Sequence, residues 1–97
     1  MSLRDLLARM PTDCVALLRV DLREGAVTES CGDDVSAGTV ARVMRELVAP
    51  QHEETILLSD DRTFVSRRFD AQHAITAICR GTRSLGLVVS LLREELA

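Results

Sequence analysis

The residues able to do chemistry in this 97-residue chain are few and badly spaced for it. Three cysteines, Cys14, Cys31 and Cys79, lie far apart and form no Cys-x-x-Cys pair. Their odd number and wide spacing predict buried free thiols in a reducing compartment. His52 and His73 stand 21 residues apart with no ligand-spaced cysteine or carboxylate beside them. A tetrahedral zinc site needs closer pairs. Cys31 precedes Gly32-Asp33-Asp34 and has no neighbouring His or Lys to lower its pKa, so it is a poor nucleophile. Asp33-Asp34 and Asp60-Asp61 read as turn acids, without the spacing of a calcium loop. Glu53-Glu54 and Glu94-Glu95 read as solvated element ends. Gly32, Gly38, Gly81 and Gly86 match neither phosphate-binding glycine fingerprint. No catalytic constellation, metal site or cofactor is expected.

Charge narrows the partners. The net charge is −3, which offers no whole-chain basic field for a duplex. Phe64 and Phe69 are the only aromatics, too few for a base-stacking platform. From Arg62 to Arg83 five arginines (Arg62, Arg67, Arg68, Arg80, Arg83) face one acid, Asp70. That stretch reads as a solvated strand face or as a patch for an acidic partner. No apolar run reaches the ~18–20 residues of a membrane span. Asp5 falls where a signal peptide carries only positive charge. A cytoplasmic protein is expected.

The elements that position these residues follow from hydrophobic period. Apolar residues are 46% of the chain and charged ones 28%, the balance of one globular domain over residues 1–97. Ser2 caps a short helix with Leu3, Leu6, Leu7 and Met10 on one stripe, stopped by Pro11. Cys14 to Leu22 alternates as a strand, with Cys14, Ala16, Leu18, Val20 and Leu22 on one face. Its other face runs from Val15 and Leu17 to Arg19 and Asp21, and so emerges into solvent. Arg23-Glu24-Gly25 turns the chain, and Ala26 to Ser30 returns as a polar edge strand. Cys31 to Asp34 is loop. Ser36 caps a second helix to about Ala49, with Val40, Val43, Met44, Leu47 and Val48 at i, i+3, i+4, i+7 and i+8. Three strands follow as a meander: Thr55–Leu58, Thr63–Phe69 and Ala74–Cys79. Ser84 caps a last helix to about Leu96, lined by Leu85, Val88, Leu92 and Leu96. Gly86 in its first turn implies a close approach to the sheet, since glycine costs up to ~1 kcal/mol there. One five-stranded antiparallel sheet with helices on both faces is the economical α+β assembly, in the order α-β-β-α-β-β-β-α.

That order resembles the roadblock domain, the dynein light chain roadblock-type family, which shares its architecture with longin and profilin-like folds. Leu18-Arg19-Val20-Asp21-Leu22-Arg23-Glu24-Gly25-Ala26-Val27 is similar to the family's first hairpin. Arg62-Thr63-Phe64-Val65 is similar to its fourth strand after a tight turn, and Ser84-Leu85-Gly86-Leu87-Val88 to the start of its last helix. The first helix and the loop before the second are shorter than the family's, and the second helix lacks an Ala-rich core. The resemblance implies a non-enzyme: a regulator or scaffold that binds a Ras-like small GTPase, as in the prokaryotic branch. It implies a homodimer, or a heterodimer with a homologous roadblock chain, built through the third strand and second helix. On this sequence those are Thr55, Ile56, Leu57 and Leu58 at the edge, with Val43 and Leu47 as helix contacts. It places the partner platform on Thr39, Arg42, Arg45 and Glu46. Two other readings stay open: a purely structural dimeric scaffold, and a small ligand-binding sensory module whose pocket Ala16, Ala74 and Ala77 would line.

Overall fold

The structure, a computed structural model, describes residues 2–33, 36, 39–41, 43, 45, 52–59 and 61–96. Five strands form one antiparallel sheet: β1 (Cys14–Asp21), β2 (Ala26–Gly32), β3 (Glu54–Leu58), β4 (Thr63–Arg68) and β5 (His73–Cys79). Their order in space is β2-β1-β5-β4-β3. The predicted meander is present, and its last strand joins the first hairpin by pairing with β1. The N-terminal helix (Leu3–Arg9) and the C-terminal helix (Leu85–Glu95) lie on one face. Residues 39–41, 43 and 45 are helical, and Val43 packs on the opposite face.

Alternation along each strand divides the core in two. Leu17, Val65, Ile75 and Ala77 pack under Leu3, Leu6, Val88 and Leu92 of the terminal helices. Ala16, Leu18, Val20, Phe64 and Ile78 pack against Val43. Cys14 departs from its expected face. A bulge between Cys14 and Ala16 shifts the register by one and sends Cys14 to the terminal-helix side, in register with Cys79. Both thiols are free and buried, and the contact with the Cys79 thiol first, then burial, holds Cys14 above the ordinary thiol range.

Three local expectations are corrected. β2 runs on through Cys31 and Gly32, where loop was expected. Gly32 makes this possible at φ +96, and a Cβ there would stand 2.2 Å from the Val15 carbonyl oxygen. Asp21 does not emerge into solvent but is 8% exposed, because its carboxylate closes the hairpin by accepting Arg23 and Glu24 N–H at 3.0 Å each. Gly86 makes no such approach among the described residues: a Cβ there would meet none of their atoms within 4 Å.

The caps divide likewise. Ser2 accepts Asp5 N–H at 3.4 Å and Ser36 accepts Thr39 N–H at 3.1 Å, as N-caps do. Ser84 precedes the last helix, yet its hydroxyl donates to Asp13 at 3.3 Å instead of capping. Among the described residues no helix is long and apolar enough to cross a membrane.

Candidate functional site: an open apolar sheet edge

Strand order places β3 at one edge, hydrogen-bonded only to β4 among the described strands. The hydrogen bonds fix which way its backbone points. Ser59 N–H donates to Arg62 C=O at 2.9 Å and Arg68 N–H to Glu53 C=O at 2.8 Å, so residues 53 and 59 are bonded pairs of the ladder. Bonded and non-bonded pairs alternate in antiparallel strands. Glu54, Ile56 and Leu58 therefore turn their N–H and C=O groups to the open edge. Ile56 is also 43% exposed and Leu58 61%. An unpaired, apolar, straight edge is a template for another strand.

The opposite edge, β2, is defended. A bulge at Arg19/Val20 interrupts its pairing, and its exposed residues include Thr28, Glu29 and Ser30, with Glu29 ion-paired to Arg19 at 3.5 Å.

The expected site residues separate on this frame. Ile56 and Leu58 are exposed at the edge, Thr55 is half-buried, and Leu57 packs toward Phe64 and Val43. Val43 itself is 1% exposed against its own sheet, which leaves it no surface for a partner helix. Arg45 is exposed, one of the helical residues 39–41, 43 and 45. Thr39 is half-buried and its hydroxyl is engaged with Ser36 at 3.0 Å. Arg42, Glu46 and Leu47 lie outside the described residues.

The basic stretch does not form one free patch. Arg67 is held by Glu53 at 3.2 Å and Glu54 at 3.3 Å. Glu54 also takes two bonds from Arg93, at 3.1 and 2.8 Å, tying the C-terminal helix to the edge strand. These guanidiniums, Arg93 first, hold the Glu54 carboxyl below the usual range. Arg80 and Arg83 are exposed at the other end of the sheet.

Sequence reasoning missed a polar cluster at the β4–β5 turn. Asp70 accepts Gln72 and His73 N–H at 2.7 and 2.8 Å and meets the His73 ring at 2.9 Å. His73 stacks on Phe69, and Arg19 lies over the same ring, each at 5.7 Å. Gln72 donates to Asp21 at 2.9 Å, joining this turn to the first hairpin. The local signal was Asp70 two and three residues before the N–H groups it accepts. The link to Asp21 spans 51 residues and has no local signal. A shallow cavity of about 340 Å³ opens beside it, lined by Glu53, Arg68, Phe69, Asp70, Ala71 and Leu96. The alanines that the alternative sensory reading offered for a pocket, Ala16, Ala74 and Ala77, are all buried, with Ala16 and Ala77 on opposite faces of the sheet, so they line no common pocket among the described residues. Among the described residues, no three His, Cys, Asp or Glu side chains converge as a metal site.

No family model and no curated protein matches the sequence. Solved structures do match its fold. MglC from Myxococcus xanthus is similar at TM-score 0.75 and 14% identity, over 97% of this chain and 89% of that one. A Roadblock/LC7 domain from Streptomyces avermitilis is similar at TM-score 0.71 and 6% identity, over 97% and 88%. MglB in a tetrameric arrangement is similar at TM-score 0.78 and 14% identity, over 97% and 79%. The fold is of the roadblock type.

Proposed function

We propose that this chain is a non-catalytic, cytoplasmic regulator or scaffold that dimerises through β3 and binds a Ras-like small GTPase. The observation that carries the reading is the open edge of β3, with outward backbone groups at Glu54, Ile56 and Leu58 and apolar side chains beside them. A second copy pairing antiparallel there makes one sheet of two subunits and removes the exposed edge. The roadblock-type fold supports the regulator role, and the tetrameric arrangement of MglB shows that another chain of this fold self-associates. A homologous chain in place of the second copy satisfies the same edge.

The residues assigned to the GTPase platform are Thr39, Arg42, Arg45 and Glu46. Arg45 is its exposed, described member.

Two measurements test the reading. Sedimentation at micromolar concentration gives the mass of two chains if β3 pairs. Affinity capture from a lysate of the source cell, with GDP or a non-hydrolysable GTP analogue, retains a small GTPase in one nucleotide state and loses it in the other. Capture that ignores the nucleotide removes the GTPase and leaves a dimeric scaffold. Charge reversal at Arg42 and Arg45 abolishes capture with the dimer intact if the platform is correctly placed.

A further inference from the structure

The bulge at the start of β1, which has no part in the β3 edge, brings two thiols together. Strict alternation back from Ala16 would turn Cys14 to the central-helix side, away from Cys79. The extra residue between Cys14 and Ala16 reverses that, and Cys14 stands directly opposite Cys79 on the terminal-helix side.

The hydrogen bonds fix what kind of pair this is. Arg80 N–H donates to Asp13 C=O at 2.9 Å, so residues 13 and 80 are a bonded pair of the β1–β5 ladder. Cys14 N–H is engaged elsewhere, with Pro11 C=O at 2.9 Å. Bonded and non-bonded pairs alternate, which makes Cys14 and Cys79 a non-bonded pair, the kind whose Cα atoms lie about 4.5 Å apart. A disulfide spans Cα separations of about 4.4–6.8 Å. The two sulfurs can therefore join with the ladder in place. They already touch, and the interaction between the two thiols is the largest influence on the proton affinity of each. Cys14 donates toward Cys79 and holds that thiol below its ordinary range, which makes Cys79 the sulfur that ionises first.

Their position decides what a bond would do. Cys14 opens β1 soon after the N-terminal helix, and Cys79 closes β5 before the loop to the C-terminal helix. A bond here ties the connections of both terminal helices together. It also closes a loop from residue 14 to residue 79, and long loops gain most from closure. Cys31 is partly exposed at the margin of the same cluster and pairs with Leu17, not with either thiol.

We propose that Cys14 and Cys79 are a modification site, an oxidisable pair that hydrogen peroxide closes to a disulfide stapling β1 to β5. The Cys79 thiolate attacks one peroxide oxygen. An S–O bond forms, the O–O bond breaks, and the hydroxide released takes up the thiol's proton as water. The Cys14 sulfur then attacks the sulfenic sulfur. An S–S bond forms, the S–O bond breaks, and a second water leaves with the Cys14 proton. The two sulfurs give up two electrons and the peroxide takes them. Cys14 and Cys79 are 7% and 2% exposed, so peroxide, close to water in size, enters when the strand end at the Arg80–Asp13 bond opens.

The test uses the full chain carrying Cys31→Ser, treated with hydrogen peroxide and then with an alkylating agent. The intact mass is expected to fall by two hydrogens, and trypsin to release residues 10–19 joined to residues 69–80. The urea midpoint rises, dithiothreitol returns it, and the sedimentation mass does not change. In urea the same dose gives at least tenfold less cross-link relative to sulfinic and sulfonic acids. Thiols left unmodified, sulfinic acid in place of the cross-link, or a cross-link between chains overturns the pair. Equal yield in urea overturns the part played by the fold, and a midpoint unchanged or lowered overturns the staple. In the unaltered chain, which needs no substitution to fold, a cross-link to Cys31 in place of this one overturns the assignment.

Discussion

Two glycines in this chain have opposite meanings, and only their surroundings distinguish them. Gly32 sits at φ +96 with the Val15 carbonyl in the space of a side chain. Gly32→Ala must strain the backbone and displace β1, so it is expected to cost at least about 2 kcal/mol, read as a lowered urea midpoint. Gly86 has no such reason among the described residues, since a Cβ there meets none of their atoms and a helix disfavours glycine relative to alanine. Gly86→Ala is expected to raise stability by about 0.5–1 kcal/mol in the same assay. A neutral or negative result would mean that Gly86 already touches something in solution. Read as sequence, Gly86 suggested packing against the sheet and Gly32 suggested loop. Neither the local pattern nor the residue type carries the distance to a neighbour.

At the scale of elements, β3 turns an apolar strand into an interface because its free backbone groups face outward. Proline at position 56 tests this cleanly. Ile56 makes no ladder bond to β4, so Ile56→Pro removes an edge donor and leaves the β3–β4 ladder intact. The expected outcome is a folded monomer by sedimentation and circular dichroism. A persistent dimer would place the interface elsewhere. The tie between Glu54 and Arg93 is a weaker device than its two short bonds suggest. Arg93 is largely exposed, so a double-mutant cycle should give only a weak coupling, and weaker still at high salt. Its effect is on geometry: it fixes the C-terminal helix beside the edge.

For the whole molecule, the carboxylates that join distant elements set its acid limit. Asp21 is held below the usual range by Glu24 N–H first and then Gln72, Asp70 by His73, and Glu54 by Arg93. A depressed folded-state pKa stabilises above the unfolded value, about 3.9–4.3, and that contribution is lost as pH falls through the folded value. Urea midpoints are therefore expected to be flat between about pH 5 and 8 and to fall steeply below about pH 4. Asp21→Asn should lower the midpoint at neutral pH and flatten the acid slope. An unchanged slope would mean that these carboxylates titrate alike in the folded and unfolded chain.

By itself the sequence determined what depends on neighbours along the chain. Alternation marked β1 and β4, apolar or β-branched runs between turn residues marked the other strands, the spacing of Leu3, Leu6 and Met10 marked a buried helix face, and Ser2 and Ser36 cap where capping chemistry places them. The resemblance of that element order to the roadblock domain extended the reading to the fold. The tertiary structure decided what depends on pairing across the chain. Bulges at Cys14/Ala16 and Arg19/Val20 exist only relative to β5 and β2, and one of them moves Cys14 to the other face. The burial of Asp21 depends on Gln72, 51 residues away. The insertion of β5 between β1 and β4 leaves β3 outermost. A period of two says which side chains share a face, and it is silent on which strand has no neighbour; that is settled by which long loops close, and the open edge is where they leave the backbone unpaired.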